Sequence, residues 1–134
     1  MGSTGSSICS EAVVRGPAGT IADMTGDLTT VQGVHDSLDD ITLVDCRELY
    51  EWTAGRIEGA VHLPVNSIMA GAGGDLPKDK PVAVICRTGN RSELASMMLQ
   101  ARGYDAHNVA GGMEAWAAAG YAFSAEDGSD GRVA

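Results

Sequence analysis

Short apolar runs alternate with helix-forming segments through the first half of the chain. Ile41 to Val44 is a β-branched run that predicts a strand, and the helix formers from Glu48 to Ala54 follow it. Ala60 to Leu63 predicts a second strand, which Pro64 closes. A long glycine-rich loop is expected after that proline, because Gly71, Gly73 and Gly74 are close together.

The second half of the chain contains the strongest strand signal. Every residue from Val82 to Cys86 is apolar, which is typical of a central strand buried on both faces of a parallel sheet. Ser92 to Arg102 has apolar residues at helical spacing, and Ser92 is the expected N-cap. A strand over Ala106 to Val109 and a helix over Gly112 to Ala119 complete the pattern. This alternation predicts an α/β domain with a mainly parallel sheet, whose sites gather at the carboxyl ends of the strands.

The two ends of the chain do not share this pattern. Residues 1–23 are rich in small and polar residues, and we interpret them as a flexible leader that contains Cys9. Residues 123–134 have an acidic composition with little to bury, and we interpret them as a solvated tail. One domain over residues 24–122 remains, which agrees with a total length of 134 residues.

The charge of the chain excludes some classes of partner. Eighteen acidic residues against nine basic ones give a formal net charge of -9. Such a surface repels phosphate backbones and anionic membranes, so we expect neither nucleic acid nor a membrane as partner. The longest apolar stretches have five residues, against about 20 for a bilayer span. No secretory pattern is visible, which predicts a cytoplasmic protein.

The candidate chemistry lies in the loop that joins the predicted central strand to the next helix. It reads Cys86-Arg87-Thr88-Gly89-Asn90-Arg91-Ser92. Backbone N–H groups and the helix dipole make such a loop attractive to anions. A thiol in this position ionises more readily than free cysteine, whose pKa is about 8.5. We therefore expect Cys86 to be an exposed thiolate nucleophile at neutral pH, and residues 87–92 to bind its substrate.

Several motifs of the chain resemble those of the rhodanese-like sulfurtransferases. The loop resembles the C-x-x-G-x-R-S type of single-domain members, and the upstream block from Asp45 to Trp52 contains their D-x-R motif. Gly55 to Pro64 resembles the family's G-H-I-x-G-A-x-N/H-I/L-P signature, and Gly111 to Trp116 resembles its closing G-G-x-x-x-W. The resemblance covers about residues 24 to 122. It implies a three-layer fold with helices on both faces of a mainly parallel sheet.

The resemblance also implies a reaction. Cys86 would take sulfane sulfur from thiosulfate or a persulfide donor and pass it, as a Cys86 persulfide, to a thiol, to cyanide or to a protein acceptor. The backbone amides from Arg87 to Ser92 would hold the persulfide, and Arg87 and Arg91 would attract the anionic donor. Asp45 and Arg47 would brace the wall of the site, with a purely architectural ion pair as the alternative. No cofactor and no metal are expected.

Two residues depart from the family's pattern. Arg56 stands where the family usually has histidine, and it is expected to bind a surface carboxylate or to steer anions. Cys46 stands where an aliphatic residue is usual. We interpret Cys46 as a small core residue, with a second redox role as the alternative.

Three other functions compete with this interpretation. A sulfur-carrier or interaction module would serve a dedicated protein partner through the same loop. A phosphatase or arsenate reductase would use a C-x5-R loop, whereas four residues separate Cys86 from Arg91 here. A cysteine protease is disfavoured, because no motif links His35, His62 or His107 to Cys86.

Overall fold

A computed structural model of the protein describes residues 26–134. The leader predicted over residues 1–23, with Cys9, lies outside the described residues. The helices are α1 (Val31–Asp36), α2 (Leu49–Ala54), α3 (Val65–Met69), α4 (Asn90–Ala101) and α5 (Gly112–Ala118), with a 3-10 helix over Leu38–Asp40. The strands are β1 (Thr42–Asp45), β2 (Val61–His62), β3 (Val82–Ile85) and β4 (Ala106–Asn108). Within this range, no helix has the length and apolar character needed to cross a bilayer.

The four strands form one parallel sheet in the order β2-β1-β3-β4. Strand β3 is buried at every position, as the apolar run predicts. In the register between β1 and β3, Val44 lies beside Val84 and Asp45 lies beside Ile85. The two strands therefore end at the same level, and the segments that follow them begin side by side.

Alternate side chains of the strands point into two separate cores, one on each face of the sheet. On one face Val44 and Val84 pack against Leu99 of α4. On the other face Leu43 and Ile85 pack in a core with Trp116 of α5. The predicted three-layer α/β fold, with helices on both faces of a parallel sheet, is confirmed.

Two local predictions are wrong. The segment after Pro64 is helix α3 and not loop, because Val65 and Ile68 lie three positions apart and bury the same face. The helix spans only five residues, which are too few to show a periodic apolar pattern in the sequence. Helix α4 begins at Asn90, after Gly89 as N-cap, so Ser92 is a buried residue of the first turn and not the N-cap.

The segment 123–134 folds back onto the domain although its composition predicts a solvated tail. Arg56 and Ser124 exchange backbone hydrogen bonds of 2.8 and 2.9 Å, and the Arg56 side chain pairs with Glu126. Phe123 is partly buried against the core. Much of the segment is nonetheless exposed. Because backbone groups make many of these contacts, composition gives no signal of them.

Candidate active site

The candidate nucleophile lies at the carboxyl end of the sheet. Cys86 is the first residue after β3, and the loop Cys86–Ser92 leads from there into α4. Gly89 has φ +106 within this loop, a backbone conformation that is strained for any residue other than glycine. The resulting turn brings the loop back over the end of the strand.

Hydrogen-bond donors of the loop point at the Cys86 sulfur. The backbone N–H of Gly89 donates to Sγ across 3.1 Å. The hydroxyl of Ser92 lies 3.3 Å from Sγ and also donates to Asn108 Oδ1, so its one proton is shared between two acceptors. The Nδ2–H of Asn108 donates a hydrogen bond to the Gly89 carbonyl across 3.1 Å. A negative charge on the sulfur is thus met by donors whose own positions are fixed.

Two carbonyls of the loop are turned towards helix α5 instead. The carbonyl oxygen of Cys86 accepts the N–H of Met113 at 2.8 Å, and that of Arg87 accepts the N–H of Glu114 at 3.0 Å. These N–H groups lie in the first turn of α5, where a helix has unpaired donors. The amino end of α5 therefore helps to fix how the loop is oriented.

The Cys86 thiol is ionised at neutral pH. Its pKa is lowered to about 4, first by a hydrogen bond from the Cys46 thiol and further by hydrogen bonds from Ser92 and Gly89, while burial acts in the opposite direction. The same hydrogen bond and burial raise the pKa of Cys46. The two thiols are therefore coupled, and a negative charge on Cys86 opposes ionisation of Cys46.

This ionisation predicts how alkylation of Cys86 depends on pH. With a pKa of about 4, the thiolate is fully formed throughout the neutral range, so the alkylation rate with iodoacetamide should be flat between about pH 6 and pH 8. The alkylation rate of a free cysteine peptide should instead rise about a hundredfold from pH 6 to pH 8, because its thiolate fraction rises by that factor. Both rates are measured in one tube, by mass spectrometry of the Cys86 peptide and of the free cysteine peptide over time. A Cys86 rate that rises in parallel with the reference peptide would contradict a lowered pKa.

Both arginines of the loop are paired with carboxylates. Arg91 binds Glu51 through two parallel hydrogen bonds of 2.7 and 2.8 Å, and Arg91 lowers the pKa of that buried carboxyl. Arg87 Nε lies 3.0 Å from Glu114 Oε2 at the surface. That both cations attract the donor stays a prediction, although each already has a carboxylate partner. Arg91 ties the start of α4 to α2, whereas Arg87 remains half exposed beside the loop.

Asp45 and Arg47 form a buried ion pair next to the site. Arg47 Nη2 lies 2.7 Å from Asp45 Oδ2 and donates to the Gly55 carbonyl across 2.6 Å. Both side chains are almost completely buried. The pair ties the end of β1 to the end of α2, and its role as a brace of the site stays a prediction.

The Cys86 sulfur is less accessible than the sequence suggests. Only 1% of the residue is exposed, so the expectation of an exposed sulfur is wrong. The loop and the Gly89 N–H cover it, while Arg87, Thr88 and Asn90 are exposed above. A reactant must therefore present a single projecting atom to the sulfur.

Three interactions around the nucleophile were not predicted from the sequence. Cys46 lowers the pKa of Cys86, Asn108 contacts Ser92 and Gly89, and Glu51 holds Arg91. Cys46 had a usable signal, since it follows a predicted strand directly, as Cys86 does. The other two contacts depend on how distant segments meet.

A surface cavity of about 590 Å³ lies away from this loop. Leu49, Tyr50, Ala125 and Arg132 contribute to its lining, and no residue of the loop does. Because the thiolate and its hydrogen-bond donors are at the loop, we place the candidate active site there and not in the cavity.

Known proteins share this fold and its sequence pattern. The family model of the rhodanese-like domain matches residues 30–119. A sulfurtransferase of Allochromatium vinosum is 37% identical over 91 residues, which are 67% of this chain and 84% of that protein. The crystal structure of a rhodanese-related protein from Thermoplasma volcanium has a TM-score of 0.66 at 30% identity, covering 70% of this chain and 93% of that one.

A longer relative contains a comparable segment. The probable adenylyltransferase/sulfurtransferase MoeZ of Mycobacterium tuberculosis is 35% identical over 97 residues, which are 69% of this chain. The match spans only 25% of the length of MoeZ. The relatives named as sulfurtransferases support sulfur transfer as the general role of this domain. In sequence and in fold, the chain belongs to the rhodanese-like domain family.

Proposed function

We propose that this domain is a thiosulfate sulfurtransferase-like enzyme that carries sulfane sulfur on Cys86. The observation that carries the proposal is the Cys86 sulfur at the end of β3, with the Gly89 N–H at 3.1 Å and the Ser92 hydroxyl at 3.3 Å. This arrangement stabilises a thiolate before the reaction. It also offers donors to the anionic sulfur that the reaction adds.

The proposed reaction has two halves. The Cys86 thiolate attacks the outer sulfur of thiosulfate, the sulfur–sulfur bond of thiosulfate breaks, and sulfite leaves with the bonding electron pair. The product is a Cys86 persulfide whose outer sulfur carries the negative charge. A thiolate or cyanide then attacks that outer sulfur and restores the Cys86 thiolate. Such a covalent relay has ping-pong kinetics.

The loop residues have separate parts in this proposal. The backbone amides between Arg87 and Ser92 hold the persulfide, with the donors at Gly89 and Ser92 nearest to Sγ. The exposed residues Arg87, Thr88 and Asn90 meet the anionic donor. Because Arg87 is half exposed and already paired, its contribution to donor binding should be small and should weaken with salt.

The acceptor is a small thiol, cyanide or a protein sulfur acceptor. The name of MoeZ joins a sulfurtransferase to an adenylyltransferase, which supports transfer between proteins as a second candidate function. Under that alternative the persulfide forms on Cys86 as before, and a dedicated partner removes the sulfur. A cytoplasmic location belongs to the same proposal, because the cytosol keeps thiols reduced.

Phosphate chemistry fits the loop less well. Four residues separate Cys86 from Arg91, one fewer than in the C-x5-R loops of phosphatases. Arg91 is held by Glu51, and the sulfur lies beneath the loop. The outer sulfur of thiosulfate projects from its tetrahedron and can meet a buried thiolate, whereas the phosphorus of a phosphate ester is surrounded by four oxygens.

Initial-rate kinetics test the proposal. The reduced protein is assayed with thiosulfate and cyanide for thiocyanate, and in parallel with p-nitrophenyl phosphate for hydrolysis. We expect thiocyanate formation with parallel double-reciprocal lines and no phosphate hydrolysis above the blank. Phosphate hydrolysis without sulfur transfer would overturn the proposal. Sulfur loading without turnover on small acceptors would instead favour the protein-relay function.

A further inference from the structure

A second cysteine lies beside the nucleophile. Strands β1 and β3 are parallel neighbours in which Asp45 is paired with Ile85, so Cys46 and Cys86 occupy the next positions of the same ladder. The Cys46 N–H donates to the Ile85 carbonyl across 3.0 Å, which continues the ladder to this point. Neighbouring strands are about 4.8 Å apart, and disulfides join Cα atoms about 4.4–6.8 Å apart.

The two side chains also point to the same face of the sheet. Cys46 and Cys86 belong to one core cluster with Val44 and Val84, whereas Leu43 and Ile85 belong to the other. The pKa values of the two thiols are coupled, lowered for Cys86 and raised for Cys46, as expected of neighbouring sulfurs. Both residues are unoxidised and buried. Contact between the two sulfurs therefore needs little movement of the backbone and no entry of a bulky reactant.

We infer that Cys46 is a resolving thiol, which displaces the sulfane sulfur from Cys86 as hydrosulfide and closes a Cys46–Cys86 disulfide. This inference rests on the proposed function, since it starts from the Cys86 persulfide. It adds a second activity, reduction of sulfane sulfur to sulfide, to the transfer of sulfur to an external acceptor.

The step balances without an added oxidant. Cys46 Sγ attacks Cys86 Sγ, the bond between Cys86 Sγ and the outer sulfur breaks, and the outer sulfur leaves with the electron pair. The Cys46 proton passes to that sulfur, which departs as hydrosulfide. The two cysteines are oxidised to a disulfide while the sulfane sulfur is reduced to sulfide. An external dithiol reopens the disulfide by thiol–disulfide exchange.

Formation of the persulfide itself prepares Cys46 for this attack. In the resting site the Cys86 thiolate raises the pKa of Cys46, which keeps its proton in place. In the persulfide the charge has moved to the outer sulfur, so Cys86 Sγ no longer opposes ionisation of its neighbour. The order of events follows from this: Cys86 reacts first and Cys46 second.

The fate of the loaded sulfur tests the inference. The full-length chain with Cys9→Ser, which removes the third thiol, is reduced, loaded with thiosulfate on ice, freed of donor and kept without added thiol. We expect the loss of both thiols, a Cys46–Cys86 cross-linked peptide by mass spectrometry, and about one sulfide per chain. The same chain with Cys46→Val should keep its sulfur and release less than about a tenth of that sulfide. If the Cys46→Val chain does not fold, the Cys46→Ser chain is used in its place.

The outcomes separate the inference from the function on which it rests. If the sulfur stays on Cys86 in the chain that retains Cys46, the resolving role is overturned and the proposed sulfur transfer is unaffected. Equal sulfide release from the Cys46→Val chain would overturn it as well. Absence of sulfur from Cys86 immediately after loading, with both thiols still free, would overturn the proposed function and the inference together.

Discussion

Cys86→Ser is expected to lower kcat/KM for thiosulfate at least about a thousandfold, because the step that forms the covalent intermediate is lost. A serine hydroxyl is not ionised at neutral pH, and the donors at Gly89 and Ser92 that stabilise a thiolate do not change this. The hydroxyl also cannot form the sulfur–sulfur bond on which the relay depends. Thiocyanate formation under first-order conditions measures the loss.

Cys9→Ser is the matched control for that loss. It removes a cysteine that lies well before the rhodanese-like region, and turnover should be the same as in the wild type. A Cys86→Ser protein with a tenth or more of wild-type activity would contradict the assignment, since about 1.4 kcal/mol of transition-state stabilisation is then all that the thiol supplies. Loss of activity in the Cys9→Ser protein would contradict it too.

Gly112→Ala should damage the site from the side of α5. A Cβ at this position would lie 2.2 Å from the Cys86 carbonyl oxygen and 2.6 Å from that of Arg87, and Gly112 has φ +56. The loop cannot keep its carbonyls on the amino end of α5 and also accommodate a methyl group. We expect a loss of unfolding free energy of about 2–4 kcal/mol and a fall in kcat/KM of at least about tenfold. Urea unfolding and the thiocyanate assay measure the two effects.

Gly120→Ala separates the steric effect from the cost of the backbone conformation. Gly120 has φ +79, and a Cβ there meets nothing within 4 Å. This variant should lose only about 1 kcal/mol of unfolding free energy and keep full turnover. Equal effects of the two substitutions would show that contact with the active-site loop is not what requires glycine at position 112.

The sequence predicts the strands better than the short helices. The apolar run after Pro81 identifies β3, because its β-branched residues Val82, Val84 and Ile85 favour a strand buried on both faces. Helix α3 escapes prediction because a helix of five residues shows barely one repeat of its period. The start of α4 is misplaced because serine is a common N-cap, whereas here Gly89 takes that position in a left-handed conformation.

The candidate site was predictable in its loop but not in its neighbours. The segment from Cys86 to Ser92 predicts a reactive loop, because a thiol, a glycine and two arginines lie between a predicted strand and a predicted helix. The hydrogen bond from Cys46 depends on the register of β1 against β3, which the sequence does not specify. The pairing of Arg91 with Glu51 likewise joins residues 40 positions apart, and it changes the interpretation of that arginine.

The mass of the protein immediately after mixing with thiosulfate shows whether Cys86 takes up sulfur. The reduced Cys9→Ser chain is mixed with thiosulfate, quenched in acid within seconds and measured intact, beside the same chain with Cys86→Ser. We expect a gain of one sulfur atom in the first protein, mapped to the Cys86 peptide, and no gain in the second. Sulfur bound by the Cys86→Ser chain, or a parent chain that binds none while both of its thiols stay free, would contradict a Cys86 persulfide.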